Sequence, residues 1–122
     1  AAIAATLTKV LTPEAFKSME ALCDVWTKNV QDLITKYGAP WQVSQLGCRA
    51  EYSFRSEAPK NGREAADADD FELQQYLHIH ALNRGILMTP FHNMALMSPA
   101  HTLEDVKRHT EHFREAVVAL FA

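Results

Sequence analysis

The sequence predicts a two-layer α+β domain in which helices pack on one face of a small, mainly antiparallel sheet. Two observations point there. Long stretches near both ends of the chain repeat apolar residues at threes and fours, the spacing of a helix with one buried face. Between them, short apolar and β-prone runs are cut by Gly and Pro, as strands and turns are. With 122 residues, 48% hydrophobic and 22% charged, residues 1–122 are expected to form a single domain around one core.

Ala2 to Val10 has helix-forming composition but no capping residue in front of it, an abrupt start that suggests a fragment of a longer chain. Thr12-Pro13-Glu14 is a strong helix start: a hydroxyl that can cap, a proline whose missing N–H costs nothing in the first turn, and an acid at the positive helix end. From there Phe16, Met19, Leu22, Cys23, Trp26, Val30, Leu33, Ile34 and Tyr37 form one apolar stripe, which Gly38 terminates. Trp41 to Phe54 loses that period and contains Val43, Tyr52 and Phe54 around Gly47, which fits two short strands or one bulged strand. Residues 56–70, acidic and carrying Pro59 and Asn61-Gly62, are expected to be a polar surface loop.

A helix is predicted from about Asp70 to Arg84, with Phe71, Leu77, Ala81 and Leu82 facing inward and Gly85 stopping it. Ile86–Thr89 and Met94–Ser98 are predicted as two strands, joined by a tight turn over Pro90-Phe91-His92-Asn93. Thr102 caps the last helix, which is expected to bury Leu103, Val106, Thr110, Phe113, Val117 and Leu120.

Composition excludes several classes of function. The net charge of −3 arises from 15 acidic and 12 basic residues mixed along the chain, so no basic stripe attracts nucleic acid or an anionic membrane surface. No apolar run is long enough to span a bilayer, and the N-terminal residues lack the basic region of a signal peptide. Cys23 and Cys48 form neither a CxxC pair nor a disulfide framework, which fits a reducing, cytoplasmic setting.

Few residues suggest chemistry by themselves. His92, Asn93 and Met94 bring imidazole, amide and thioether groups into one turn, a mixture suited to an apolar pocket with a few orienting hydrogen bonds. An ordinary turn packing its Met and aromatic inward would read the same way. Arg49, in a predicted strand, offers the fork that a substrate carboxylate needs, or else it pairs with Glu51 or solvent. His78 and His80 point in different directions on one helix, as structural or exposed residues do. Asp105, His109 and His112 share a helical spacing that could face a divalent ion, but without a further ligand they are expected to form a solvated face. His101, just before the cap, is expected to fix the entry of the chain into the helix.

Four stretches carry a resemblance across the whole chain: Leu7 to Phe16, Gln45-Leu46-Gly47-Cys48, Leu82-Asn83-Arg84-Gly85-Ile86-Leu87, and Ser98 through Val106 with its Ala-His-Thr and acidic helix start. Each resembles a stretch near the C-terminus of class III, pyridoxal-phosphate-dependent aminotransferases of the glutamate-1-semialdehyde aminomutase type. The resemblance implies the C-terminal small domain of a fold-type I enzyme, which closes over the cofactor cleft and shapes the substrate pocket. It implies pyridoxal phosphate in the parent enzyme, with the Schiff-base lysine supplied by a large domain of the same polypeptide, and a homodimer. It also sets Asn93 where aminomutases tend to carry a glutamate that takes part in gating and substrate handling. An amide can neither carry that charge nor accept that proton, which favours a transaminase acting on beta-amino acids.

The resemblance assigns no catalytic or cofactor-binding residue to this chain, and leaves His92, Asn93, Met94 and Arg49 as substrate-pocket candidates. The six lysines, Lys9, Lys17, Lys28, Lys36, Lys60 and Lys107, fall on predicted polar faces or in the loop. The contrasting expectation is a stand-alone binding or interaction module built on the same fold.

Overall fold

The computed structural model describes residues 1–89 and 92–122. Helix α1 (Ala2–Lys9) has no side-chain cap and buries none of its residues. Helix α2 (Pro13–Tyr37) begins where the Thr12 side chain accepts a hydrogen bond from the Ala15 N–H. It ends at Gly38, whose φ of 66° is left-handed and therefore suited to a residue without a Cβ. Its stripe from Met19 through Cys23, Trp26, Val30, Leu33 and Ile34 is buried, whereas Phe16 at its start stays exposed.

Beyond Gly38 the chain folds into a hairpin, β1 (Gln42–Leu46) and β2 (Arg49–Ser53), so the two-strand form of this segment is the one adopted. Gly47, with φ of 58°, allows the tight reversal between them. The segment 56–70, expected as a loop throughout, contains the short helix α3 (Gly62–Ala66). Asn61 makes this helix possible, because its side chain accepts from the Glu64 N–H at the N-cap. Helix α4 (Phe71–Leu82) follows, capped by Asp70. It buries Leu77 and Ala81; Phe71 and Leu82, expected inward, lie exposed because the helix rests on its neighbour along one narrow line.

The predicted strand at Ile86–Thr89 does not form. Its first N–H, that of Ile86, donates instead to the Ala81 carbonyl and closes the end of α4, while Gly85 turns the backbone with φ of 78°. Strand β3 (Met94–Leu96) pairs with β2, and the predicted turn at Pro90-Phe91 lies outside the described residues. Helix α5 (Leu103–Phe121) starts with a full capping box between Thr102 and Asp105. Leu103 and Leu120 are exposed, while Val106, Phe113 and Val117 are buried as expected.

The sheet has three antiparallel strands in the order β1-β2-β3. Because side chains alternate across a strand, Ala50, Tyr52 and Ala95 turn inward, while Arg49 and Glu51, opposite Leu96 and Met94, belong to the other face. The inward face packs on α2 and reaches α5 through Tyr52 against Phe113; α2 and α5 pack on one another, and α4 packs on α5. An aromatic cluster of Trp41, Tyr52 and Phe113 fills the space, with Tyr52 and Phe113 ring centres 5.0 Å apart. The fold is thus the predicted one, helices packed with a small antiparallel sheet.

Candidate functional site

Arg49 and Glu51 are two apart on β2 and so share a face of the sheet. The Arg49 Nη2 donates to Glu51 Oε2 at 2.7 Å, and its Nε–H points at the Met94 sulfur across the strand pair, also at 2.7 Å. On the other side of the same carboxylate, His92 Nδ1 lies 3.5 Å from Glu51 Oε1. Three of the predicted site residues, Arg49, His92 and Met94, are therefore gathered around Glu51. Reasoning from the sequence had named Glu51 only as Arg49's ordinary partner; the i,i+2 spacing on a strand is the signal that could have promoted it.

Asn93 turns away from this group. It is buried, its carbonyl accepts from the Tyr52 N–H at 3.2 Å, and it borders a small internal hollow with Tyr52, His78, His109 and His112. That main-chain bond extends the β2–β3 pairing and fixes the segment 92–94 against the sheet. A larger, open hollow of about 600 Å³ lies nearby, between the 85–89 segment, β3 and the start of α5. Trp26, Met88, Met97 and Val106 make it apolar, and Met94 and Arg108 reach its border. Met94 thus joins the charged group on the sheet to the apolar hollow.

The spacing of Asp105, His109 and His112 does not make the solvated face expected of it. Asp105 is exposed and accepts from the Thr102 N–H and hydroxyl, bonds that hold its carboxyl below the usual range, whereas His109 and His112 are buried. Val106, His109, Phe113 and Ala116 form a stripe at threes and fours, so both histidines ride on the buried side of α5. Burial pushes the His109 imidazole down to about 3, with His112 adding to the effect. Among the described residues, no three His, Cys, Asp or Glu side chains are placed to hold a metal ion. His78 and His80 are half-buried on α4, and the His101 Nδ1 accepts from the Ser98 N–H just before the α5 cap.

All of the lysines are exposed. Lys28 pairs with Asp32, Lys36 lies over the Tyr37 ring, and Lys107 approaches Glu104. None borders either hollow. Burial pushes the Cys23 thiol up to about 11, so it is a packed core group and no nucleophile. No helix of the described chain is long and apolar enough to cross a membrane.

No family model matches the chain. Among curated proteins it is 26% identical over 108 residues to glutamate-1-semialdehyde 2,1-aminomutase 1 of Staphylococcus epidermidis, an alignment covering 88% of this chain and 25% of that protein. Among solved structures, a glutamate-1-semialdehyde aminomutase of Pseudomonas aeruginosa in complex with PMP superposes with a TM-score of 0.95 at 38% identity, over 99% of this chain and 26% of that one. A beta-phenylalanine aminotransferase of Variovorax paradoxus superposes with a TM-score of 0.82 at 25% identity, over 94% of this chain and 26% of that one. The chain spans about a quarter of the length of these relatives. The superposed fold and the aligned sequence point the same way: the chain is similar to the C-terminal quarter of class III, pyridoxal-phosphate-dependent aminotransferases of the glutamate-1-semialdehyde aminomutase type.

Proposed function

We propose that this domain closes and shapes the substrate side of a pyridoxal-phosphate-dependent aminotransferase whose catalytic apparatus lies in a large domain of the same polypeptide. The observation that carries the reading is the near-complete superposition on the P. aeruginosa aminomutase, a protein solved with PMP bound. The cofactor's own requirements are not met by these residues: every lysine is exposed and none borders a hollow. When bound in the parent enzyme, the cofactor would supply the electron sink for amino transfer, and this chain would act on substrate alone.

In this reading His92 and Met94 line the pocket from the 92–94 segment, and Asn93 fixes that segment's course. Arg49, held by Glu51, presents its guanidinium toward substrate carboxylate. An amide at Asn93, which can neither carry a carboxylate's charge nor accept its proton, supports a transaminase acting on beta-amino acids over an aminomutase. The parent is a cytoplasmic homodimer that moves an amino group between an amino acid and a keto acid.

The test is the size of the native polypeptide, read with an antibody to this domain on extracts of the source cells. A band several times heavier than 13.7 kDa is expected. A band at 13.7 kDa would overturn the reading and favour an interaction module.

A further inference from the structure

The contact between α4 and α5 contains a feature that the substrate pocket does not use. The imidazoles of His80 on α4 and His112 on α5 stack with centres 4.8 Å apart, and His109 lies edge-on to His112 at 6.4 Å. Nδ1 of His78, His80, His109 and His112, and Nε2 of His112, are buried without a hydrogen-bond partner among the described residues. Neutral rings tolerate such a stack. Two imidazolium ions at that distance would repel each other where little water reaches to screen them.

The surrounding charges do not reverse this. Just past the end of α4, Arg84 adds positive charge, and on α4 Tyr76 sits 5.6 Å from His80. From α5, Glu115 favours protonation but is spent on Arg84 at 2.7 Å, and Glu111 on Arg114. Tyr52 from β2 and His92 from the segment before β3 border the adjoining hollow, His92 beside Glu51. Helix α4 itself is weakly held: it buries only Leu77 and Ala81 and packs on α5.

We propose that the stacked His80–His112 pair, with His109 beside it, is an acid-released latch that holds α4 to α5 while the rings are neutral. Burial pushes all three imidazoles down, so in the closed state they bind protons less readily than free histidine, whose pKa is about 6.5. Opening therefore takes up protons and is favoured as pH falls below about 6.5, by up to about tenfold per pH unit for each histidine released. Asn93 shares its hollow with Leu77, His78 and Ala81 of α4, so opening uncovers the 92–94 segment. That last consequence rests on the pocket reading above; the latch does not.

Hydrogen exchange of the α4 amides, corrected for intrinsic exchange and followed from pH 7 to pH 5 in the polypeptide that carries this domain, tests the latch. The expected result is an opening constant for α4 that rises at least tenfold per pH unit, while the buried stripe of α2 changes less. In His80→Gln the rise should flatten by about one proton. An opening constant independent of pH, or a rise unchanged in His80→Gln, would overturn the latch. If that variant does not fold, ring NMR titration of the unmodified protein decides instead: His80 and His112 titrating at about 6.5 with no change in α4 signals would overturn it. Opening of α4 without loss of activity would sink the pocket reading and leave the latch standing; acid loss of activity with α4 closed would do the reverse.

Discussion

The indole of Trp26 and the imidazole of His109 sit 5.2 Å apart, inclined by 44°, so that α2 and α5 meet through an aromatic pair of which one member can take up a proton. In the folded state burial pushes the His109 pKa down to about 3, against about 6.5 when unfolded. The unfolded chain therefore binds the proton first. The stability tied to this ring is fully present above about pH 6.5 and declines as pH falls toward about 3, by about 1.4 kcal/mol per pH unit. Urea titrations at pH 7.5 and pH 5.5 should show that decline, and His109→Leu should reduce it. A midpoint equally acid-sensitive in the variant would contradict the assignment.

Ile34 is 1% exposed on the α2 stripe and Leu46 is 79% exposed on β1. Ile34→Ala should cost about 2–5 kcal/mol through lost burial and the cavity left behind, whereas Leu46→Ala should stay within about 0.5 kcal/mol. Calorimetric melting of both variants checks the contrast.

The α5 capping box gives a smaller effect. Thr102→Ala removes the acceptor for the Asp105 N–H and should cost about 1 kcal/mol. Thr102→Asn, which can still cap, should recover most of that loss in the same denaturation experiment.

Arg49 and Glu51 separate fold from function. Their ion pair is partly exposed and contributes little to stability, so Arg49→Ala should change it by less than about 1 kcal/mol. If Arg49 meets substrate carboxylate, kcat/KM for the amino donor should nevertheless fall by about tenfold or more, the scale of one lost charge-assisted hydrogen bond. His92→Ala should lower kcat/KM in the same direction with the cofactor absorbance intact. Unchanged kinetics in both variants would remove these residues from the pocket.

The helices were legible in the sequence because local chemistry and packing agree there. Thr12-Pro13, Gly38, Asp70 and Thr102 mark real termini, and the α2 stripe is the real core. The strand predicted at 86–89 failed because the Ile86 N–H closes α4, a bond that apolar composition does not reveal. His109 and His112 misled for a related reason: histidine counts as polar, yet both occupy positions that the α5 stripe sends inward. At the candidate site, Arg49 could be suspected from residue type alone. Its meeting with Met94 and His92 around one carboxylate depends on how β3 registers against β2, which lies beyond local spacing.

Helix α1 and its C-cap carry Ile3, Leu7 and Val10 along one edge, and none of the helix's eight residues is buried. A helix so short has almost no winding tendency of its own in water. Its coil-to-helix balance is therefore set by whatever lies against that edge, and a probe attached at Thr8 would report occupancy: tumbling freely on the bare domain, slowing when a neighbouring surface is engaged.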